Sequence, residues 1–145
     1  MTISFLTGID EAGRGAVIGP MVIAGVTIPI EHEDKLKKIG VKDSKVLSRK
    51  KREELAEKIE KLATNIIVLR VQACKIDDYR AKGINLNKIE AMKMSQIIDA
   101  CDGGKIFVDS LESNPKNYRK LMESFLQNKD ADLVVENYLD ESVPV

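Results

Sequence analysis

The stretch Gly8-Ile9-Asp10-Glu11-Ala12-Gly13-Arg14-Gly15 decides how this chain is read. Residues 3–9 are mostly apolar and predict a strand, which places Asp10 and Glu11 where a buried strand ends. Adjacent carboxylates at such a place suit a hard cation such as Mg²⁺. Glycines on both sides of Arg14 let backbone approach a ligand closely, and a guanidinium pairs well with phosphate. The same residues also describe an ordinary strand end followed by a polar turn.

Working outward, residues 20–28 predict a second strand closed by Pro29, joined to the first by a short connection. That pair should form an antiparallel hairpin. Ser48 is a good N-cap for a helix over 49–63 with Leu55, Ile59 and Leu62 on one face. Residues 65–71 predict a third strand. A short helix follows over 75–82, ended by Gly83. Asn85 or Asn87 caps a helix reaching about Cys101, stopped by Asp102-Gly103-Gly104. Strands are predicted over 105–109 and 132–136. Between them a helix starts at Asn114-Pro115 and runs to about Gln127. The order implies a single α/β domain over 1–145: a mixed sheet with an N-terminal antiparallel hairpin and packed helices.

Composition agrees with that size. With 145 residues, 43% of them hydrophobic and 32% charged, one folded domain is expected. No apolar run is long enough to span a bilayer, and a cytoplasmic protein is expected. Cys74 and Cys101 form no C-x-x-C pair and are expected to be buried thiols. His32, the only histidine, lies in Glu31-His32-Glu33-Asp34, a run that reads as solvated loop. A Ser-His-Asp triad or a histidine-based zinc site is thereby disfavoured. There is no Trp, and Phe and Tyr number three each, few platforms for stacking single-stranded bases.

Net charge is zero but unevenly spread. Lys35, Lys37, Lys38, Lys42, Lys45, Arg49, Lys50, Lys51 and Arg52 face Asp43 alone, whereas 130–145 holds Asp130, Asp132, Glu136, Asp140 and Glu141 and no base. This division suits an enzyme that holds a polyanion beside metal ions, and a solvated helix face explains the basic run as well. In α/β sheets ligands collect at the carboxyl ends of strands. Asp10 and Glu11, Asp109, and Asp140 all fall at or just past such ends, and are expected to converge.

Taken together, these segments resemble ribonuclease HII, particularly its archaeal form. The matching pieces are Gly8 to Gly15, Ile18-Gly19-Pro20-Met21-Val22, Val41-Lys42-Asp43-Ser44-Lys45-Val46-Leu47-Ser48, Ile84-Asn85-Leu86-Asn87, Phe107-Val108-Asp109-Ser110 and Leu139-Asp140-Glu141-Ser142-Val143-Pro144-Val145. They occur in the family's order across nearly the whole chain. The resemblance implies an RNase H-like fold. It also implies endonucleolytic hydrolysis of RNA in RNA–DNA hybrids and at ribonucleotides embedded in duplex DNA, leaving 3′-hydroxyl and 5′-phosphate ends. By resemblance Asp10, Glu11, Asp109 and Asp140 are the metal-binding catalytic acids for Mg²⁺ or Mn²⁺, two ions in all. Gly13, Arg14 and Gly15 match the loop that recognises the ribose 2′-OH, and Lys45 matches a phosphate-contacting lysine.

The chain departs from the family in two places. Glu136-Asn137-Tyr138-Leu139-Asp140 replaces a more common His-Lys-Ala-Asp. The sequence also stops at Val145, where the family continues into further helices bearing a junction-reading tyrosine. None of Tyr79, Tyr118 or Tyr138 stands at that position. A catalytic core without the C-terminal helical region is expected, with weak cleavage. Two alternatives come from other classes. A phosphoacceptor receiver domain has similar acids, but requires all-parallel strands and a lysine after the last one. A folded, catalytically silent fragment would bind metal or hybrid only.

Overall fold

The structure, a computed structural model, describes residues 4–14, 19–101 and 104–137. Five strands form one mixed sheet in the order β3-β2-β1-β4-β5. β1 (Phe5–Ala12) and β2 (Met21–Pro29) make the antiparallel hairpin, in register from Phe5–Pro29 to Ala12–Val22. β3 (Asn65–Val71) adds antiparallel to β2. β4 (Lys105–Asp109) and β5 (Asp132–Glu136) extend the other side in parallel. The expected mixed α/β sheet and hairpin are therefore observed, and the antiparallel pairs exclude the all-parallel receiver topology.

Side chains alternate across a strand, so parity sorts the sheet into two faces. Ile9, Met21, Ile23, Ile106, Val108, Leu133 and Val135 face one way, into the larger core. Against them pack α4 (Leu86–Ala100) and α5 (Pro115–Phe125), through Ile89, Met94, Ile97, Ile98, Tyr118 and Met122. Gly25 of β2 lies beneath this layer; a Cβ there would come within 2.5 Å of Ile97 Cγ2, so only glycine lets α4 sit this close. Ser95 fastens the two helices together by donating to the Ala91 and Met122 carbonyls at 2.7 and 3.1 Å. The opposite face carries a smaller cluster of Leu6, Ile28 and Leu36, supported by Ile59 and Leu62. It is covered by α1 (Glu33–Lys38) and α2 (Arg49–Leu62).

Capping follows the sequence. Ser48, Asn85 and Asn114 each accept a backbone N–H at the start of α2, α4 and α5, and Pro115 opens α5. α3 (Ala73–Ala81) begins earlier than its periodicity predicts.

Four expectations need correction. α1 went unforeseen because it is six residues long and buries only Leu36. His32 is not solvated loop: it sits half-buried in a 3-10 turn, with Nδ1 2.9 Å from the Leu62 carbonyl oxygen. Cys74 is exposed rather than buried, because α3 buries no residue; Cys101 is half-buried, and no disulfide joins the two. Lastly, β1 does not stop at Ile9. Its antiparallel ladder with β2 continues through Asp10–Ala24 and Glu11–Ile23, so both acids lie within a strand. Asp102, Gly103 and residues 138–145 lie outside the described residues.

Candidate active site

The end of β1 is paired unequally. On the β2 side the ladder runs to Ala12, but the parallel ladder to β4 ends at Ile9–Val108. Asp10 and Asp109 are each one residue beyond that last pair, on neighbouring strands about 4.8 Å apart. They also share parity with Leu6 and Phe107, so both leave the sheet on the face of the smaller core. Glu11 follows Asp10 directly and leaves on the opposite face, with Ile9. All three acids line one cleft of ≈ 540 Å³, together with Asp43, Ser44 and Lys45 on one wall and Ser110, Leu111, Glu112, Ser113 and Asn137 on the other.

Each wall is built by local hydrogen bonds. Asp43 accepts the Lys45 N–H at 3.1 Å and caps the 3-10 turn Ser44–Val46. Arg52, one turn into α2, donates Nη1 to the Leu47 carbonyl at 2.8 Å and to the Ser44 carbonyl at 3.4 Å. Lys45 is thereby presented on a braced turn, with its own side chain exposed. On the far wall Ser110 donates to the Glu112 carbonyl at 2.6 Å, its N–H reaches the Glu136 carbonyl at 2.9 Å, and Asn137 donates to the Ser113 carbonyl at 3.2 Å.

The acids differ electrostatically. Burial first, and then the neighbouring Asp10 charge, push the Glu11 carboxyl up to about 7. Asp10 is exposed and accepts the Glu11 N–H at 2.8 Å. Among the described residues no three Asp, Glu, His or Cys side chains stand ready as a metal cage. The three acids share this cleft, although Asp10 and Glu11 leave their strand on opposite faces of the sheet. Asp140, Gly15 and Ile18 lie outside the described residues.

The Gly13-Arg14 turn adjoins this edge. Gly13 has φ +79°, and a Cβ on it would meet the Pro20 carbonyl oxygen at 2.8 Å. Arg14 turns inward toward α4 rather than outward. Its Nη2 donates to Asn87 Oδ1, and its Nε lies 3.1 Å from Glu90 Oε1. Glu90 is fully buried, and neither of its oxygens has an aligned hydrogen-bond partner among the described residues. Burial pushes its carboxyl up to about 7, opposed by Arg14 and reinforced by Asp10. Burial, and after it the Glu90 charge, also raise the Tyr118 hydroxyl. Glu90 was missed by sequence reasoning. It sits on the stripe Leu86, Met94, Ile97 at helical spacing, and a lone acid on an apolar stripe is the signal that marks it.

Comparison with known proteins decides the family. The sequence model described as Ribonuclease HII matches residues 7–144. The chain belongs to the ribonuclease HII family. The Ribonuclease HII of Caldivirga maquilingensis is 43% identical over 143 residues, covering 98% of this chain and 65% of that protein. The crystal structure of ribonuclease H2 from Pyrococcus horikoshii superimposes with TM-score 0.85 at 34% identity, covering 97% of this chain and 65% of that one. The RNase HII in the PCNA:RNase HII complex from Archaeoglobus fulgidus gives 0.84 at 38% identity, covering 97% and 66%. The chain thus spans about two thirds of the length of these relatives, and the RNase H-like fold expected from the sequence is observed. No helix among the described residues is long and apolar enough to cross a membrane.

Proposed function

We propose that this chain is the catalytic core of an endoribonuclease that hydrolyses the RNA of RNA–DNA hybrids and cuts duplex DNA at embedded ribonucleotides. The products would carry 3′-hydroxyl and 5′-phosphate ends, which fits work in replication and ribonucleotide repair. Family membership supports the reaction class. The observation that carries the reading is the placement of Asp10 and Asp109 side by side on one face of the sheet, beside Glu11 and Lys45 in one cleft.

The donor set fits a hard divalent cation. Every candidate ligand is a carboxylate, and Glu11 is already strained by burial and by Asp10's charge, which a dication would relieve. Asp10, Glu11 and Asp109, with Asp140 proposed as the fourth, would hold two Mg²⁺ or Mn²⁺ ions, which supply an activated water and a stabilised leaving 3′ oxygen. Lys45, exposed on its braced turn, holds the substrate phosphate by point charge. Gly13 would offer backbone groups to a ribose 2′-OH, which is donor and acceptor together and absent from DNA, and Gly15 is proposed for the same role by its match to the family's loop. Arg14 belongs to the same substrate-binding loop.

Cleavage of a duplex bearing one ribonucleotide, with Mg²⁺ or Mn²⁺ and with an all-DNA control, tests this. A 3′-hydroxyl product from the ribonucleotide duplex alone is expected, lost in Asp10→Asn. Cleavage of both duplexes would remove the 2′-OH argument. Binding of the hybrid without cleavage would favour the silent fragment.

A further inference from the structure

The buried Glu90 carboxylate has no task in the scheme above, and its setting is costly. A charged group without solvent or aligned hydrogen bonds persists only where something opposite compensates it. Here that partner is Arg14, whose Nε is 3.1 Å from Glu90 Oε1 and whose Nη2 donates to Asn87. Asn87 and Glu90 are three residues apart, on one face of the first turns of α4. Asn85 caps that helix, and Ile89, Ala91 and Met94 sink it into the larger core. The arginine is therefore gripped by the helix with the most buried residues among those described. Arg14 belongs to a turn whose Gly13 is tightly seated against the Pro20 carbonyl.

We infer that Glu90 is a positioning residue, which through Arg14 clamps the Gly13-Arg14 turn to α4 and so fixes the backbone that meets the ribonucleotide. This rests on the proposed reading of the loop. On this view the arginine's principal partner is internal. The guanidinium serves as a strut, and substrate is read by the glycine backbone beside it.

Glu90→Met tests the clamp, because it fills the same volume and offers Arg14 no acceptor. Removing one partner of a buried ion pair destabilises where the other charge is left buried, but Arg14 is 37% exposed and keeps Asn87, so its guanidinium stays solvated while Glu90→Met removes the desolvated carboxylate. The unfolding midpoint should therefore hold. The value of kcat/KM on the single-ribonucleotide duplex should fall roughly tenfold or more, as for a loop displaced by about 1 Å. The Mg²⁺ dependence should not move. Glu90→Gln keeps an acceptor for Nε and should recover most of the loss. Arg14→Ala should cost as much as Glu90→Met, and the double variant no more than either. Losses that multiply, or a Glu90→Met protein that cleaves like the parent, would overturn the inference.

Should the parent protein itself fail to cleave, the proposed function falls and the clamp is judged by amide hydrogen exchange alone. Gly13 and Arg14 should exchange faster in Glu90→Met than in the parent, and at the parental rate in Asp10→Asn. Equal rates in all three would sink the clamp.

Discussion

The two faces of the sheet treat their acids differently. The face under α4 and α5 is deep: Tyr118, Met122, Ile89 and Ile97 are sealed from solvent, the same layer encloses Glu90, and Glu11 on this face is half-buried. The face under α1 and α2 is shallow. Its buried cluster is Leu6, Ile28 and Leu36, and on its β3 edge Val68 and Ile66 stay 48% and 37% exposed. Asp10 and Asp109 emerge on the shallow side, Glu11 on the deep side. A deep core supplies rigidity and perturbs the ionisation of any carboxylate it encloses. A shallow one leaves Asp10 exposed at the cleft and Asp109 half-buried beside it. The cleft combines the two, one acid anchored from behind and two presented in front.

That contrast is broken most sharply by Asp10→Asn or Asp109→Asn. Both change an acid on the open side, so cleavage should fall by on the order of 10²–10³-fold or more while the unfolding midpoint stays put. A comparable loss of stability would mean that the shallow side, too, is structural. Next in size come paired core truncations. Ile97→Ala on the deep face should cost towards the upper end of the roughly 2–5 kcal/mol range, because α4 lies too close over Gly25 for the gap to collapse. Leu36→Ala beneath the short α1 should cost towards the lower end, since a six-residue helix can settle inward. Urea denaturation of both variants ranks the two faces directly.

Much of this division is legible in the sequence. Residues 65–71, 105–109 and 132–136 are apolar runs bounded by polar residues, and the strands occupy those positions. Caps at Ser48, Asn85 and Asn114 announce three helices because their side chains satisfy the first free amides. The resemblance singles out the acids of β1 and β4, and their parity on adjacent strands then explains their company. What stays hidden depends on tertiary contact. α1 is too short for periodicity to register. The capture of His32 by the Leu62 carbonyl joins residues 30 apart in sequence. The inward turn of Arg14 joins residues more than 70 apart, and no local pattern encodes it. The extension of β1 past Ile9 is set by its partner β2, not by its own apolar run.

A smaller effect is expected at the turn between the faces. Gly13→Ala must place a Cβ at φ +79° and 2.8 Å from the Pro20 carbonyl oxygen. The left-handed conformation alone costs about 1–2 kcal/mol. The turn should shift rather than the sheet unfold. Cleavage at a single ribonucleotide should therefore drop more than Mg²⁺ affinity, measured by calorimetry on the same protein. Equal losses in both would place the glycine in support of the acids instead of the substrate.

The effect that separates Glu11 from Glu90 is the pH dependence of stability. Glu11 and Glu90 both have carboxyls pushed up from 4.5 to about 7 in the folded chain, chiefly by burial. Between those values the folded state holds protons that the unfolded state has released. Stability therefore falls as pH rises from about 4.5 to about 7, and levels off above. The groups that act on the pair are named by the fold: Asp10 raises both, Arg14 counters Glu90, and Tyr118 remains neutral throughout the window. Glu90→Gln should remove one acid's share of the slope, whether or not metal is present. Glu11→Gln should remove the other share. If Glu11 is a metal ligand, added Mg²⁺ should flatten that second share in the parent by favouring the ionised carboxylate, and should do nothing further in Glu11→Gln. Denaturation midpoints at several pH values, with and without Mg²⁺, measure both shares. A slope in the parent that Mg²⁺ leaves untouched would count against Glu11 as a ligand and leave Asp10 and Asp109 as the site's metal-binding pair.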